Sequence, residues 1–214
     1  MSALSIRVRS GLMVAAAAVA FSGPASASAA TPPATAVSRT LASPAVPVAA
    51  AASLPSYGTW IADVSAVTDQ AAAYLSTRLP DTGIKAAIVL DIDNTALESQ
   101  YKGGIITAAT APVLAIAKQA HAAGAAVIFV TARPEIIKAL TKENLKQVGY
   151  PNDGLYLRAT FDFSSDQTLK TNARIAIEKA GYTIVANIGN NTSDLAGAHA
   201  ERTFKLPDYD GQLS

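Results

Sequence analysis

The chain has 214 residues, 50% of them hydrophobic and 15% charged, with a formal net charge of +1 and no cysteine. A near-neutral balance gives no electrostatic footprint for a nucleic-acid polymer or an anionic membrane surface. Without cysteine there is no disulfide, thiolate metal site or thiol nucleophile, so stability must come from a packed core.

Residues 1–9 carry Arg7 and Arg9 without an acid, and residues 11–21 form an apolar Ala/Val run. Ala25-Ser26-Ala27 and Ala27-Ser28-Ala29 are small-x-small cleavage sites. This three-part pattern predicts a signal peptide over 1–29 and a secreted, extracellular or envelope-associated protein. The run is shorter than the roughly 20 residues of a spanning helix, so stable membrane insertion is not expected. Its removal takes away two cations and no acid, turning the net charge of +1 into −1. Residues 30–54 are Ala, Pro, Thr, Ser and Val with the single charge of Arg39. They predict an extended, disordered Ala/Pro-rich linker. Residues 55–214 then form one domain, long enough to bury a sizeable core.

Residues 57–79 predict a helix, because Trp60, Val64, Val67, Ala71, Tyr74 and Leu75 recur at spacings of three and four. Turn residues at 80–83 end it. The run Ala86-Ala87-Ile88-Val89-Leu90 predicts a buried parallel strand. It leads into Asp91-Ile92-Asp93-Asn94-Thr95, whose two carboxylates are expected to share one face at the strand's carboxyl end. Residues 96–109 make one small excursion. A helix over 111–123 precedes a second strand over 125–130, which ends in Thr131-Ala132-Arg133. Pro134 suits the first position of a helix over 135–148. A short strand over 155–157, a helix over 167–180, a strand over 183–188 and a last strand over 202–206 follow. A polar tail closes the chain.

Strands alternating with helices imply a three-layer α/β sandwich around a parallel, Rossmann-like sheet. The polar clusters Asp91/Asp93, Thr131/Arg133 and Asn190/Asp194 all fall at carboxyl ends of strands. That is the edge at which open α/β sheets bind ligands. Two carboxylates as close as Asp91 and Asp93 repel unless a cation or shared proton neutralises them. His121 and His199 are read as surface or structural histidines. Trp60, Tyr101 and Tyr156 are read as core or pocket-wall aromatics.

In order and spacing these motifs resemble the haloacid dehalogenase (HAD) superfamily of phosphohydrolases over about residues 60–210. The nearest likeness is to its secreted acid phosphatase branch, with class B-like enzymes and vegetative storage proteins. The resemblance implies a phosphomonoesterase with Asp91 as nucleophile, forming an aspartyl-phosphate. Asp93 would be the acid and base, its backbone carbonyl also helping to hold Mg²⁺. Thr131, Ala132 and Arg133 would bind phosphate, the last as phosphate ligand or structural ion pair. Lys170 would stabilise the charge that develops in transfer. Asp91, Asp93, Asn190 and Asp194 would form the metal site.

At Gly189-Asn190 the chain departs from the family's Gly-Asp. An asparagine still offers a carbonyl oxygen but no charge, so Mg²⁺ affinity is expected to fall. That departure also supports a rival reading, a non-catalytic phosphate-binding or storage protein on the same fold. The chain between motifs leaves room only for a minimal cap. An open site implies either broad specificity or a lid supplied by the N-terminal helix or by a second subunit in a homo-oligomer. Small phosphomonoesters are the expected partners.

Overall fold

The computed structural model describes residues 53–80 and 83–213. The expected signal peptide and nearly all of the expected linker lie outside the described residues.

The element order is α1 (Tyr57–Arg78), β1 (Ala86–Leu90), α2 (Ala111–Ala122), β2 (Ala126–Pro134), a 3₁₀ turn (Glu135–Ile137), α3 (Lys138–Gln147), β3 (Gly154–Arg158), α4 (Asp166–Lys179), β4 (Thr183–Gly189), α5 (Thr192–Leu195) and β5 (Arg202–Lys205). The five strands form one parallel sheet in the order β3-β2-β1-β4-β5. This is the α/β architecture expected from the alternating elements.

Strand alternation divides the core into two layers. Ile88 and Leu90 of β1, with Val127 and Phe129 of β2, face a cluster that includes Trp60, Val64 and Leu75 of α1, Val113 and Ile116 of α2 and Leu145 of α3. Ala87, Val89, Ile128 and Val130 face the opposite way, onto Ala173 and Ile177 of α4. Burying one such branched side chain contributes about 1.5–3 kcal/mol, so the two clusters supply the stability that no disulfide can. Among the described residues no helix is long and apolar enough to cross a membrane.

Two local expectations are corrected. Strand β1 stops at Leu90, so Asp93 does not reach the site by strand alternation. Asp91 still donates its N–H to Ile188 of β4 at 3.0 Å. The chain then turns, because the Ile92 carbonyl accepts the N–H groups of Thr95 and Leu97 at 3.3 and 2.8 Å. Asp93 sits in that turn. Strand β2 in contrast runs on to Pro134 through an irregularity after Val130, and Pro134 caps the 3₁₀ turn that precedes α3. Thr131-Ala132-Arg133 is therefore strand backbone and not a helix start.

Candidate active site

The carboxyl edge of the sheet carries a cavity of about 300 Å³ lined by Asp91, Asp93, Thr131, Ala132, Lys170, Asn190 and Asp194, among others. Seven of the eight sequence-predicted site residues line it; the eighth, Arg133, reaches it through Asp93.

Its centre is a buried charge cluster. Lys170, on the first turns of α4, donates from Nζ to Asp91 Oδ1 at 2.8 Å and makes a very short contact with Asp194 Oδ1. All three residues are at most 6% exposed. Burial and then the Asp194 charge push the Asp91 carboxyl up to about 7, against the pull of Lys170. Burial works against the Lys170 ammonium as well, but the two carboxylates outweigh it and hold its proton above the usual lysine range. Two carboxylates thus share one ammonium, and their mutual repulsion favours a proton or a cation on Asp91.

Local backbone fixes Asp194. Asn191 caps α5 and Asp194 completes a capping box, its Oδ2 accepting the Asn191 N–H at 2.7 Å. The other carboxylate oxygen is left for Lys170. Gly189 makes this approach possible, because a Cβ at that position would collide with the Asp194 carboxylate. Arg174, fully buried, donates to the carbonyls of Asp194, Ala196 and Ala198 and so holds the loop after α5. A buried guanidinium satisfied by carbonyls has no sequence signature, and Arg174 was not read from the sequence.

Asp93 is held differently. Arg133 grips it from both sides, Nε to Oδ2 at 2.8 Å and a terminal nitrogen to Oδ1 at 2.7 Å, and Ser99 Oγ donates to Oδ1 at 2.6 Å. Burial raises the Asp93 carboxyl, but the hydrogen bonds from Arg133 and Ser99 prevail and hold it below the ordinary carboxylate range. Of the two roles expected for Arg133, the structure displays the ion pair. Thr131 Oγ1 accepts the N–H of Arg133 at 3.2 Å, which leaves its hydroxyl proton uncommitted.

Asn190 is 2% exposed. Its Oδ1 accepts from Thr95 Oγ1 at 2.9 Å, and its backbone N–H donates to the same hydroxyl at 3.1 Å. Its Nδ2 donates to the carbonyl of Leu213 at 2.8 Å. Leu213 lines the cavity, and no residue of α1 does.

The donors available to a metal are the carboxylates of Asp91 and Asp194, the amide oxygen of Asn190 and backbone carbonyls. Among the described residues no group of three or more His, Asp or Glu side chains makes a ready cage. The donor set is all oxygen, and its two carboxylates crowd one another around a single ammonium. Both fit a hard divalent cation such as Mg²⁺. The two histidines lie elsewhere, His121 at 3.4 Å from Asp153 and His199 at 2.6 Å from Glu178. Trp60 stacks on Tyr101 with ring centroids 4.6 Å apart, as a core aromatic.

The family described as "HAD superfamily, subfamily IIIB (Acid phosphatase)" matches residues 18–212. The chain is 40% identical over 90 residues to the Stem 28 kDa glycoprotein of Glycine max, covering 40% of this chain and 35% of that one. It thus spans about a third of that relative's length. It is 29% identical over 170 residues to Acid phosphatase 1 of Solanum lycopersicum, covering 68% of this chain and 66% of that one. In fold it resembles the class C acid phosphatase from Bacillus anthracis, with a TM-score of 0.59, 19% identity and coverage of 72% and 80% of the two chains.

Proposed function

The chain belongs to the HAD superfamily, subfamily IIIB, the acid phosphatases, and we propose that it is an exported hydrolase of small phosphomonoesters that works through an aspartyl-phosphate on Asp91. The observation that carries this reading is the buried Asp91–Lys170–Asp194 chain at the cavity floor, where an acceptor carboxylate and a fixed cation lie side by side. Export rests on the sequence pattern of residues 1–29 alone.

In the first step an Asp91 oxygen attacks phosphorus while the bond from phosphorus to the alcohol oxygen breaks. The leaving oxygen takes a proton from Asp93. Water then attacks the same phosphorus and gives a proton back to Asp93, the bond to Asp91 breaks, and phosphate leaves. Lys170 holds the nucleophile and meets the charge gathering on the phosphoryl oxygens. Thr131 has a free hydroxyl proton to donate to a phosphoryl oxygen. Asp93 cannot carry a proton while Arg133 grips it. An arriving phosphate dianion offers Arg133 a second anion, and sharing the guanidinium loosens the grip. A divalent cation, held by Asp91, Asp194, the Asn190 oxygen and the Asp93 backbone carbonyl, would supply further charge neutralisation at the phosphoryl oxygens.

Turnover of p-nitrophenyl phosphate by the full chain is expected to require Mg²⁺ and to vanish with a chelator. Because Asp91 must give up a proton that it holds up to about pH 7, Mg²⁺ is expected to raise Tm more at about pH 8 than at about pH 5. No turnover at any pH, with Mg²⁺ present, would favour the storage-type reading instead.

A further inference from the structure

Sequence patterning makes the residues after 206 an unremarkable polar tail, but residues 206–213 fold back over the site. Leu206 donates its N–H to Gly189 at 2.9 Å, and Leu213 donates to the carbonyl of Asp208 at 3.1 Å. Lys205 pairs with Asp208 at 2.9 Å, and the Tyr209 hydroxyl donates to Asp63 on α1 at 2.7 Å. Tyr209, Asp210 and Gly211 have φ of 50°, 56° and 83°. Three successive left-handed residues, two of them not glycine, reverse the chain at a conformational cost that the anchors must offset. The reversal delivers Leu213, 1% exposed, into the cavity wall. There its carbonyl accepts two side-chain amides, Asn94 Nδ2 at 2.9 Å and Asn190 Nδ2 at 2.8 Å.

This double clamp bears on Asn190. An asparagine can present either its oxygen or its nitrogen to a given neighbour. The other partner of the Asn190 side chain, Thr95 Oγ1, can donate or accept and does not select between them. A carbonyl can only accept, so Leu213 selects the orientation with nitrogen on the strap and oxygen on the Thr95 side. That oxygen has two lone pairs, and Thr95 uses one. An aspartate at 190 would instead set a carboxylate oxygen against the Leu213 carbonyl.

We propose that residues 206–213 are a positioning strap for the cation site and that Asn190 and the strap form a matched pair. The strap fixes the amide so that its oxygen can serve as a ligand, and the amide in turn holds the strap. The uncharged residue at 190 is then the counterpart of a built-in strap, and not a decayed aspartate. This inference rests on the reading of the site as one that takes a divalent cation.

The test is a double-mutant cycle on the Mg²⁺ dissociation constant, measured by calorimetry without substrate. The four proteins are the full chain, the chain lacking residues 207–214, the full chain with Asn190→Asp, and the shortened chain with Asn190→Asp. Removing the strap is expected to weaken Mg²⁺ binding about tenfold or more, the scale of losing a group that orients a ligand. Asn190→Asp is expected to tighten binding in the shortened chain by a larger factor than in the full chain, because only there can the carboxylate turn freely. If the shortened chain does not melt cooperatively, Tyr209→Phe, which releases the strap from Asp63, replaces it and should weaken binding in the same direction. Equal Mg²⁺ affinity with the strap held, loosened or removed, or an Asn190→Asp effect independent of the strap, overturns the inference alone. A full-length chain that binds no Mg²⁺ overturns it together with the cation reading.

Discussion

Replacing Lys170 by methionine is expected to cost about 3–5 kcal/mol of stability and to lower turnover by about 10²–10³-fold. Both losses come from one geometry. The Lys170 ammonium touches Asp91 at 2.8 Å and Asp194 more closely still, and all three side chains are at most 7% exposed. Methionine keeps the stem and removes the charge, leaving two buried carboxylates with no cation between them. The sign of the pH dependence follows. The Asp91 carboxyl titrates in the folded protein at about 7, above the ordinary value of 3.8. Between those values the folded state binds the proton more tightly than the unfolded state, so this group's contribution is full below the lower value and is lost as pH rises through the upper. Without Lys170 that upward displacement grows. The stability deficit of the variant should therefore widen from about pH 5 to about pH 8, measured as ΔG from urea melts. A deficit independent of pH would show that Lys170 acts through packing alone.

Asp91→Asn is expected to behave in the opposite sense on stability while removing activity. An amide has nearly the shape of the carboxylate but cannot attack phosphorus, so kcat should fall by roughly 10⁴-fold or more, the scale of losing a nucleophile. The same change removes one of two carboxylates that repel each other around Lys170, which now pairs with Asp194 alone. At neutral pH the Tm should hold or rise. Activity and stability thus part company at this residue, as they do where a buried group is kept for chemistry and not for folding. A variant that loses Tm together with activity would mean that Asp91 is mainly a structural member of the cluster.

The layered α/β fold was legible because its strands are continuous branched runs ending abruptly in polar residues, the pattern of strands buried on both faces. The positions Asp91, Thr131 and Asp194 followed from those ends. Lys170 did not: a lysine at a helix start is ordinarily solvated, and only the family resemblance singled it out. The reach of Asp93 was not legible, because the strand ends at Leu90 and the Ile92 carbonyl takes over the backbone hydrogen bonds before strand alternation reaches Asp93. The contacts that most alter the reading of the site were illegible for a common reason. Leu213 acts through its backbone carbonyl, and Arg174 acts on three carbonyls, so neither leaves a side-chain pattern to find. Asn190 could be seen as a missing charge, but its partner lay in a stretch with no periodicity at all.

The claim that the phosphoryl group passes through Asp91 has a direct measurement. In Asp93→Asn the proton carrier is gone, but p-nitrophenolate leaves readily without a proton, so the first transfer should proceed while hydrolysis stalls. Mixed with p-nitrophenyl phosphate and Mg²⁺ and quenched in acid, this variant should gain the mass of one phosphoryl group, mapped by peptide sequencing to Asp91 and absent once Asp91→Asn is added. Hydrolysis by the wild type with no phosphoryl group trapped on the Asp93→Asn protein, or one trapped on a different residue, would contradict the account.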